Sequence, residues 1–171
     1  MEVLVASGIV AALCFTGVLW YGAPYLPTLT PQVRVAFALL DLKAGQTLLE
    51  LGSGDGKVLL AAAKAGYRAV GIELNPLLVI VAKVRTRHVR DMVQVRWGNY
   101  WQQKWPPADA VFVFLLDRYM PKLDARMQTY CRPLVSVAFQ VPGRKPTAAQ
   151  QGVFRYDYTE KLAPRGTREL P

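Results

Sequence analysis

The stretch LELGSGDGKVLL, Leu49 to Leu60, places three glycines at alternate positions between two apolar runs. Glycine allows a backbone to turn sharply and to approach a ligand closely. The apolar run before the glycines predicts a buried strand, and the run after them predicts a helix. A glycine-rich turn between a strand and a helix indicates a nucleotide-type site at the carboxyl end of the strand.

The spacing of the glycines separates this loop from the two common phosphate-binding loops. The dinucleotide fingerprint is G-x-G-x-x-G, whereas this chain has G-x-G-x-G. A P-loop ends in G-K-[ST], and here Lys57 is followed by Val58. The loop therefore lacks the phosphate grip of either motif.

Acidic residues end the first two predicted strands. Glu50 stands just before the glycines, and Glu73 ends the second strand. A carboxylate in that place can accept hydrogen bonds from both hydroxyls of a ribose. A ligand with a ribose, an adenine and a cationic tail suits a site lined by Glu50, Asp55 and Glu73, and S-adenosylmethionine is that ligand. The alternative is an ordinary strand–glycine–helix turn with surface carboxylates.

Predicted strands and helices alternate along the rest of the chain. Asn75 and Pro76 form the expected order of cap and first residue for the helix after the second strand. The alternation predicts an α/β fold, a Rossmann-like doubly wound and mostly parallel sheet with helices on both faces. The predicted strands are 47–52, 68–74, 92–97, 109–116, 134–141 and a final edge strand at 153–159. The predicted helices are 32–42, 57–66, one that begins at Pro76, carries residues 77–82 and ends in a basic tail, and 120–130.

The composition suggests a basic single domain. The chain has 171 residues and a net charge of +9, which suggests nucleic acid, acidic lipid or an acidic protein as a neighbour. The two cysteines cannot form a disulfide framework, and no Cys/His cluster has metal-ligand spacing. The segment KVRTRHVR, residues 83–90, predicts a solvated basic face that is able to rest on lipid headgroups. One alternative is that His88 acts as a catalytic base, and another is that the segment forms an RNA-binding patch.

The N-terminus predicts a membrane anchor. Residues 3–21 contain no charged residue, and as a helix they span about 28 Å, close to the thickness of a bilayer core. A signal peptide and a buried helix are the alternatives. We expect an anchor at 1–22 that contacts membrane lipid, a connector at 23–31, a catalytic domain at 32–160 and a basic tail at 161–171. The cations after the anchor predict a cytoplasmic domain, with the bacterial plasma membrane favoured over the mitochondrial inner membrane.

Two motifs carry a resemblance to a known family. LLELGSGDGKVLLAAAKAGYRAVGIELNP, residues 48–76, resembles motifs I and II of class I, seven-strand methyltransferases. PYLPT, residues 24–28, resembles the segment ahead of the domain in the mitochondrial lysine methyltransferases of the ATP synthase c-subunit and the adenine nucleotide translocase, a family with prokaryotic relatives.

The resemblance implies the fold, the S-adenosylmethionine cofactor and roles for individual residues. Tyr25 and Thr28 would fold over the methionine end of the cofactor, and Glu73 would hold its ribose. Where the family usually has an acid for the adenine amino group, this chain has Asn99, whose side-chain carbonyl can still accept that bond. The expected cofactor-binding residues are Tyr25, Thr28, Glu50, Gly52, Ser53, Gly54, Asp55, Glu73, Leu74 and Asn99.

The chain is short for this family after the fifth strand. The family fold expects two more strands there, and only the segment at 153–159 is clearly available. We therefore expect either a six-strand sheet or a curtailed final hairpin.

Methyl transfer from a sulfonium is an in-line displacement, so positioning supplies most of the gain. A lysine nucleophile must also lose its proton. Asp117 and Tyr119, at the end of the fourth strand, are the predicted catalytic residues that orient the amine or take that proton. The alternative for Asp117 is a helix cap. Phe139 is expected to be a core aromatic residue, and the alternative is that it forms a wall of the lysine channel.

The sequence thus favours a membrane-anchored, S-adenosylmethionine-dependent protein-lysine N-methyltransferase whose partner is a protein substrate presenting a lysine. The alternatives are a methyltransferase of RNA or of a small molecule, and a membrane adaptor that kept the fold without the activity. Nucleic acid is the less favoured partner, because no aromatic residues are interleaved with the charges of residues 83–90.

Overall fold

The computed structural model of the protein describes residues 30–158, so the predicted anchor, most of the predicted connector and the basic tail lie outside it. The helices are α1 (Thr30–Leu40), α2 (Lys57–Lys64), α3 (Pro76–Thr86) and α4 (Met120–Tyr130). The strands are β1 (Thr47–Leu51), β2 (Arg68–Glu73), β3 (Val93–Trp97), β4 (Ala110–Val113), β5 (Leu134–Val137), β6 (Ala148–Gln150) and β7 (Val153–Tyr156). Short 3-10 turns cover Arg87–Val89 and Asp117–Tyr119.

The seven strands form one sheet in the order β3-β2-β1-β4-β5-β7-β6. The first five strands pair in parallel, and β7 runs antiparallel between β5 and β6. The predicted doubly wound, mostly parallel α/β sheet is confirmed. No helix within residues 30–158 is long and apolar enough to cross a membrane.

The end of the sheet matches one of the two expected forms, a curtailed final hairpin, which β6 and β7 make. A seventh strand is present, and it is the short hairpin strand β6, so the six-strand alternative is wrong. The sequence pattern predicts an edge strand in the segment that contains β7, but β7 is paired on both sides. The three residues of β6, Ala-Ala-Gln, are at least partly exposed and show no apolar alternation, which is why the sequence pattern misses them.

The central strands β1 and β4 are buried on both faces. Their side chains alternate between two cores, as a pleated strand requires. Leu48 and Phe112 pack in the core that contains residues of α1 and α2. Leu49 and Val111 pack in the core that contains residues of α4. The helices therefore cover the two faces of the sheet, and the strand order reverses between β1 and β4.

That reversal positions the candidate site. In an open α/β sheet the ligand crevice lies at the carboxyl ends of the strands, where the strand order switches. The glycine loop after β1 lies at this edge, and so does the start of α3. There the Asn75 side chain accepts the Leu77 N–H at 2.9 Å and Pro76 is the first helical residue, which confirms the predicted cap.

Gly71 of β2 allows the glycine loop to pack directly on the strand. A Cβ atom at this position would lie 2.5 Å from Ser53 Oγ and 2.6 Å from Leu59 Cδ1. We expect Gly71→Ala to lower the free energy of unfolding by about 1–3 kcal/mol, because overpacking a tight contact forces the loop or α2 to move. Urea unfolding measures this change.

The matched control is Arg68→Ala, which truncates an exposed side chain at the start of the same strand. We expect it to stay within about 0.5 kcal/mol of the parent. Equal unfolding midpoints for the Gly71→Ala variant and the parent would contradict the close packing described here.

Candidate functional site

The glycine loop holds a conformation that other residues adopt at a cost. Gly52, Gly54 and Gly56 have φ angles of 79°, 51° and 77°. The N–H groups of Gly52 and Ser53 donate to the Ile72 carbonyl at 2.8 and 3.2 Å. The loop is therefore folded back against the end of β2, because its backbone turns left-handed at each glycine.

Glu73 fixes the loop relative to α3. Its side chain is buried, and its two carboxylate oxygens accept the Gly54 N–H at 2.9 Å and the Asn75 N–H at 2.8 Å. A carboxylate offers about four lone-pair sites, so each oxygen can still accept a hydroxyl. The predicted ribose-holding residue thus has a structural role and keeps its capacity for a ligand.

Glu50 is buried and incompletely partnered. It is 5% exposed, and its Oε2 atom has no hydrogen-bond partner among the described residues. Burial raises the pKa of Glu50 well above its usual value, and the nearby Glu73 and Asp55 carboxylates raise it further. An unpartnered buried carboxyl is unfavourable, so a ligand cation that meets it would remove a large cost.

Ser53 and Gly52 provide the rest of the floor. The Ser53 hydroxyl is likewise buried without a partner in the described part of the chain. Space is open beside Gly52, where an added Cβ would meet only Tyr100 Cε1, at 4.0 Å. The Ser53 hydroxyl packs against Gly71 of β2, so the unpartnered Glu50 oxygen and the open surface of Gly52 are the features that fit an adenosyl ligand with a cationic amino-acid tail.

Asp55, predicted to line the cofactor site, forms an ion pair with α3. Its Oδ2 atom lies 2.6 Å from Arg85 NH1 of α3, and its Oδ1 atom accepts the Lys57 N–H at 3.2 Å. The charge of Asp55 is therefore paired with a helix cation and is not left for a bound sulfonium. The partners belong to different elements that are far apart in the chain, so no local pattern in the sequence indicates this pair.

The loops after β2 and β3 meet where the sequence placed an adenine. The Trp97 indole N–H donates to the Leu74 carbonyl at 3.0 Å, and the Gly98 N–H donates to the Glu73 carbonyl at 2.8 Å. Asn99 lies in the same loop, but its side-chain oxygen already accepts the Trp101 N–H at 2.9 Å. The second lone pair of that oxygen remains for an adenine amino group.

An aromatic wall begins at Tyr100 beside Gly52 and joins the predicted Tyr119 to two residues that the sequence analysis did not single out. It consists of Tyr100, Trp101 and Tyr119. The Tyr100 and Trp101 ring centroids are 4.8 Å apart, and those of Trp101 and Tyr119 are 6.3 Å apart. Burial raises the pKa of Tyr100, and the nearby Tyr119 and Glu73 raise it further. The sequence contains a signal for this wall, since Tyr100 and Trp101 directly follow Asn99, a predicted cofactor-binding residue.

Arg126 of α4 holds this wall in place. Its NH1 atom donates to the carbonyls of Tyr100 and Trp101 at 2.8 and 2.9 Å. Two cations lie on the wall itself: the Arg118 guanidinium is 4.9 Å from the Tyr119 ring centroid, and Lys122 Nζ is 4.7 Å from the Trp101 ring centroid. The ring faces are thus able to receive cationic groups.

The structure brings Tyr119 to the site and leaves Asp117 beside it. Asp117 is exposed, and its Oδ1 atom accepts the neighbouring Arg118 N–H at 2.7 Å. The cap position of α4 belongs to Tyr119 and has no side-chain capping bond, so Asp117 does not cap that helix. Phe139 is half-buried against the core that contains α4 residues, which favours the core interpretation. Tyr25 and Thr28 lie outside the described residues.

Comparison with known proteins agrees with this geometry. A family model described as the ANTKMT methyltransferase domain matches residues 50–148. The lysine N-methyltransferase of the ATP synthase c-subunit from Xenopus laevis is 35% identical over 112 residues, which are 62% of this chain and 47% of that protein. A protein-lysine N-methyltransferase of Saccharolobus islandicus is 27% identical over 130 residues, 72% of this chain and 81% of that protein.

The solved structures include one that matches nearly end to end. An RNA methyltransferase from Salinibacter ruber, crystallised with S-adenosyl-L-homocysteine, is 30% identical with a TM-score of 0.76, covering 81% of this chain and 97% of that one. By contrast, this chain spans about half the length of the ATP synthase c-subunit lysine N-methyltransferases it matches.

We expect Glu50→Gln to change how stability depends on pH. Because the pKa of Glu50 is raised in the folded state, the folded chain binds more protons than the unfolded chain above pH of about 4.5. Stability contributed by Glu50 therefore falls as pH rises from the unfolded pKa to the folded pKa. Each pKa unit of separation corresponds to about 1.4 kcal/mol.

The glutamine variant should lose this decline and be more stable than the parent at pH 8, as measured by urea unfolding between pH 5 and pH 8 without added ligand. Asp41→Asn is the control, because Asp41 is an exposed carboxylate paired with Lys43. Parallel stability curves for the Glu50→Gln variant and the parent would show that Glu50 does not titrate as described.

Proposed function

The chain belongs to the ANTKMT methyltransferase family of class I S-adenosylmethionine-dependent methyltransferases, and from this premise we propose that it is a protein-lysine N-methyltransferase. The observation that carries the proposal is the buried Glu50, which has one unpartnered oxygen and stands two residues before the exposed turn at Gly52. A site built in this way suits a cationic cofactor tail, because the ligand supplies the charge that the folded chain lacks there.

The residues of this chain divide the binding of the cofactor between them. Glu50 would hold its ammonium group, Glu73 its ribose, and the Leu74–Asn99 side its adenine. S-adenosylmethionine, once bound, supplies a methyl group on a positively charged sulfur. The protein then has to exclude water and align a nucleophile with that methyl group.

The aromatic wall suits the alkyl chain and amino group of a lysine. Lys122 of the protein already lies against Trp101 in this manner. The amine must be neutral to use its lone pair, and the usual pKa of lysine is near 10.4. Asp117 stands two residues before Tyr119 of this wall, so it would accept a proton from the lysine ammonium and orient the neutral amine, whose lone pair then forms the bond to the methyl group as the bond from that methyl group to sulfur breaks.

The target that we propose is a lysine on a membrane protein or a membrane-associated protein. The uncharged residues 3–21 support an anchor at 1–22 that contacts lipid, and the cations that follow support a cytoplasmic domain, with the bacterial plasma membrane favoured. An anchor raises the effective concentration of targets in the same bilayer. One relative is named for the c-subunit of ATP synthase, which accords with a target of this kind.

RNA is the second candidate substrate. The Salinibacter ruber protein is described as an RNA methyltransferase, and the present chain has a net charge of +9. Cations stacked on Trp101 and Tyr119 also resemble the combination of aromatic faces and basic groups that holds single-stranded nucleic acid. A small-molecule substrate and a non-catalytic adaptor have no such observation in their favour, and the intact glycine loop speaks against the adaptor.

One labelling experiment separates these candidates. Purified full-length chain is incubated with S-adenosylmethionine labelled at its methyl group and with membrane-protein, soluble-protein or RNA fractions. We expect label in membrane-fraction protein, at lysine after proteolysis and mass spectrometry. Label confined to RNA would establish the second candidate, and the absence of calorimetric cofactor binding would favour the adaptor.

Glu50→Gln supplies the matched variant for this assay. We expect it to bind the cofactor roughly 10- to 100-fold more weakly while remaining folded, because a charge-assisted hydrogen bond is replaced by a neutral one. Isothermal titration calorimetry measures the affinity. Asp41→Asn, which neutralises an exposed carboxylate instead, should bind the cofactor like the parent.

Asp117→Asn tests the proposed proton acceptor. We expect kcat to fall about 100-fold with little change in KM for the cofactor, since a positioned base typically contributes a factor of this size. The loss should shrink as the pH approaches the pKa of lysine, where free amine forms without help. Unfolding should be unaffected, because an asparagine oxygen can still accept the Arg118 N–H. A loss of kcat that is equal at all pH values would remove Asp117 from the proton-accepting role.

A further inference from the structure

The large exposed hydrophobic side chains of the described residues gather at one place. Four of the five lie on α3, and they are Leu77, Ile80, Val81 and Val84, between 40% and 58% exposed. The fifth is Trp97 at the end of β3, which is 67% exposed. With 3.6 residues per turn, positions 77, 80, 81 and 84 share one side of a helix. We call these four side chains the α3 face.

The α3 face is not part of the protein core. The opposite side of the helix already packs inward through Val79, Ala82 and Thr86, which are buried. Ala82 lies so close to Gly56 that a Cβ added to Gly56 would be 2.9 Å from the Cβ of Ala82. Apolar residues scattered singly on a surface are ordinary, whereas a contiguous group of them marks a surface that docks on something.

The charges around the α3 face indicate what that partner is. Residues 74–90 contain no acidic residue. Lys83, Arg87 and Arg90 are exposed, and none of them forms an ion pair with a described residue, whereas Arg85 is paired with Asp55. Viewed down the helix axis, Lys83 and Arg87 lie on one side of the apolar residues and Arg85 lies on the other. An aliphatic strip between cations is typical of a helix that lies in the interface of an anionic membrane.

We propose that the α3 face docks on an anionic lipid bilayer, with its four aliphatic side chains at the acyl boundary and Lys83, Arg87 and Arg90 among the headgroups. Trp97 lies at the amino-terminal end of the helix, since its indole N–H donates to the Leu74 carbonyl. An exposed indole is the aromatic group that favours the headgroup level. Nucleic acid fits poorly, because its phosphates would leave the aliphatic side chains without contacts.

Docking in this way would fix the direction of the candidate site. The helix begins shortly after Glu73, whose carboxylate also holds the glycine loop. The edge of the sheet that carries the site would then lie near the bilayer surface, whichever substrate the site accepts. The inference rests on α3 and its charges alone and does not depend on methyl transfer.

The test places a fluorescent reporter on the α3 face of the full-length chain. Cys14 and Cys131 are first replaced by serine, and the environment-sensitive fluorophore NBD is attached to Ile80→Cys. The control label is on Ala125→Cys, an exposed position of α4 on the other face of the sheet. Both proteins are mixed with vesicles of phosphatidylcholine containing 0 or about 30% phosphatidylglycerol, a surface that attracts polybasic segments.

We expect NBD at position 80 to brighten about twofold or more with the anionic vesicles, because it leaves water for an apolar environment. Spin-labelled lipids should quench it there, and label at position 125 should respond to neither. Replacing Arg87 and Arg90 by glutamine should weaken the response at position 80 by roughly fivefold for each cation removed. This design reads the position of α3 even if another segment already attaches the chain to the vesicle.

Three outcomes would overturn the proposal. Label at position 80 could remain in water on chains that sediment with the vesicles. The label could instead be shielded from water before vesicles are added. Shielding that depends on protein concentration would assign the α3 face to a second copy, and shielding that does not would assign it to another segment of the same chain. Equal quenching at positions 80 and 125 would indicate general insertion and not docking through α3. None of these outcomes bears on the labelling assay for methyl transfer, so the two proposals fail separately.

Discussion

The two hydrogen bonds that the Glu73 carboxylate accepts from backbone N–H groups are the constraint on which the site depends. One joins the carboxylate to Gly54 and the other to Asn75, so one buried side chain fixes the glycine loop and the start of α3 together. Neither N–H has to compete with water, because Glu73 is only 8% exposed. Hydrogen bonds to a charged acceptor are about twice as strong as neutral ones. The open surface at Gly52 exists because this link keeps the loop folded back on β2.

The features that the sequence predicted correctly are those with local causes. The apolar runs of β1 and β4, the left-handed glycines and the Asn75–Pro76 start of α3 each depend on residues that are adjacent in the chain. The features that it missed depend on distant partners. The ion pair of Asp55 with Arg85 joins residues of different elements. The three residues of β6 show no apolar alternation and become a strand only when β7 lies beside them.

The buried Glu50 carboxyl lowers the stability of the folded chain but prepares the site for a cationic ligand. Glu50 is buried beside two other carboxylates and lacks a partner for one oxygen within residues 30–158. A chain selected for stability alone would have an apolar or amide side chain there. A cationic ligand reverses the balance, because it lowers the pKa of Glu50 and supplies the missing hydrogen-bond donors. Such a cost in the unliganded protein is typical of a preorganised site.

The aromatic wall sets a condition on the substrate that the fold alone does not. Its ring faces favour an ammonium group, but Lys122 and Arg118 already occupy positions over Trp101 and Tyr119. A lysine of the proposed substrate would have to displace one of these cations to use the same ring face, and like charges nearby would oppose its approach. Acidic residues next to the target lysine would offset that repulsion by pairing with the displaced side chains. The charges of the wall thus favour a lysine in an acidic surrounding, and they would favour the phosphates of RNA for the same electrostatic reason.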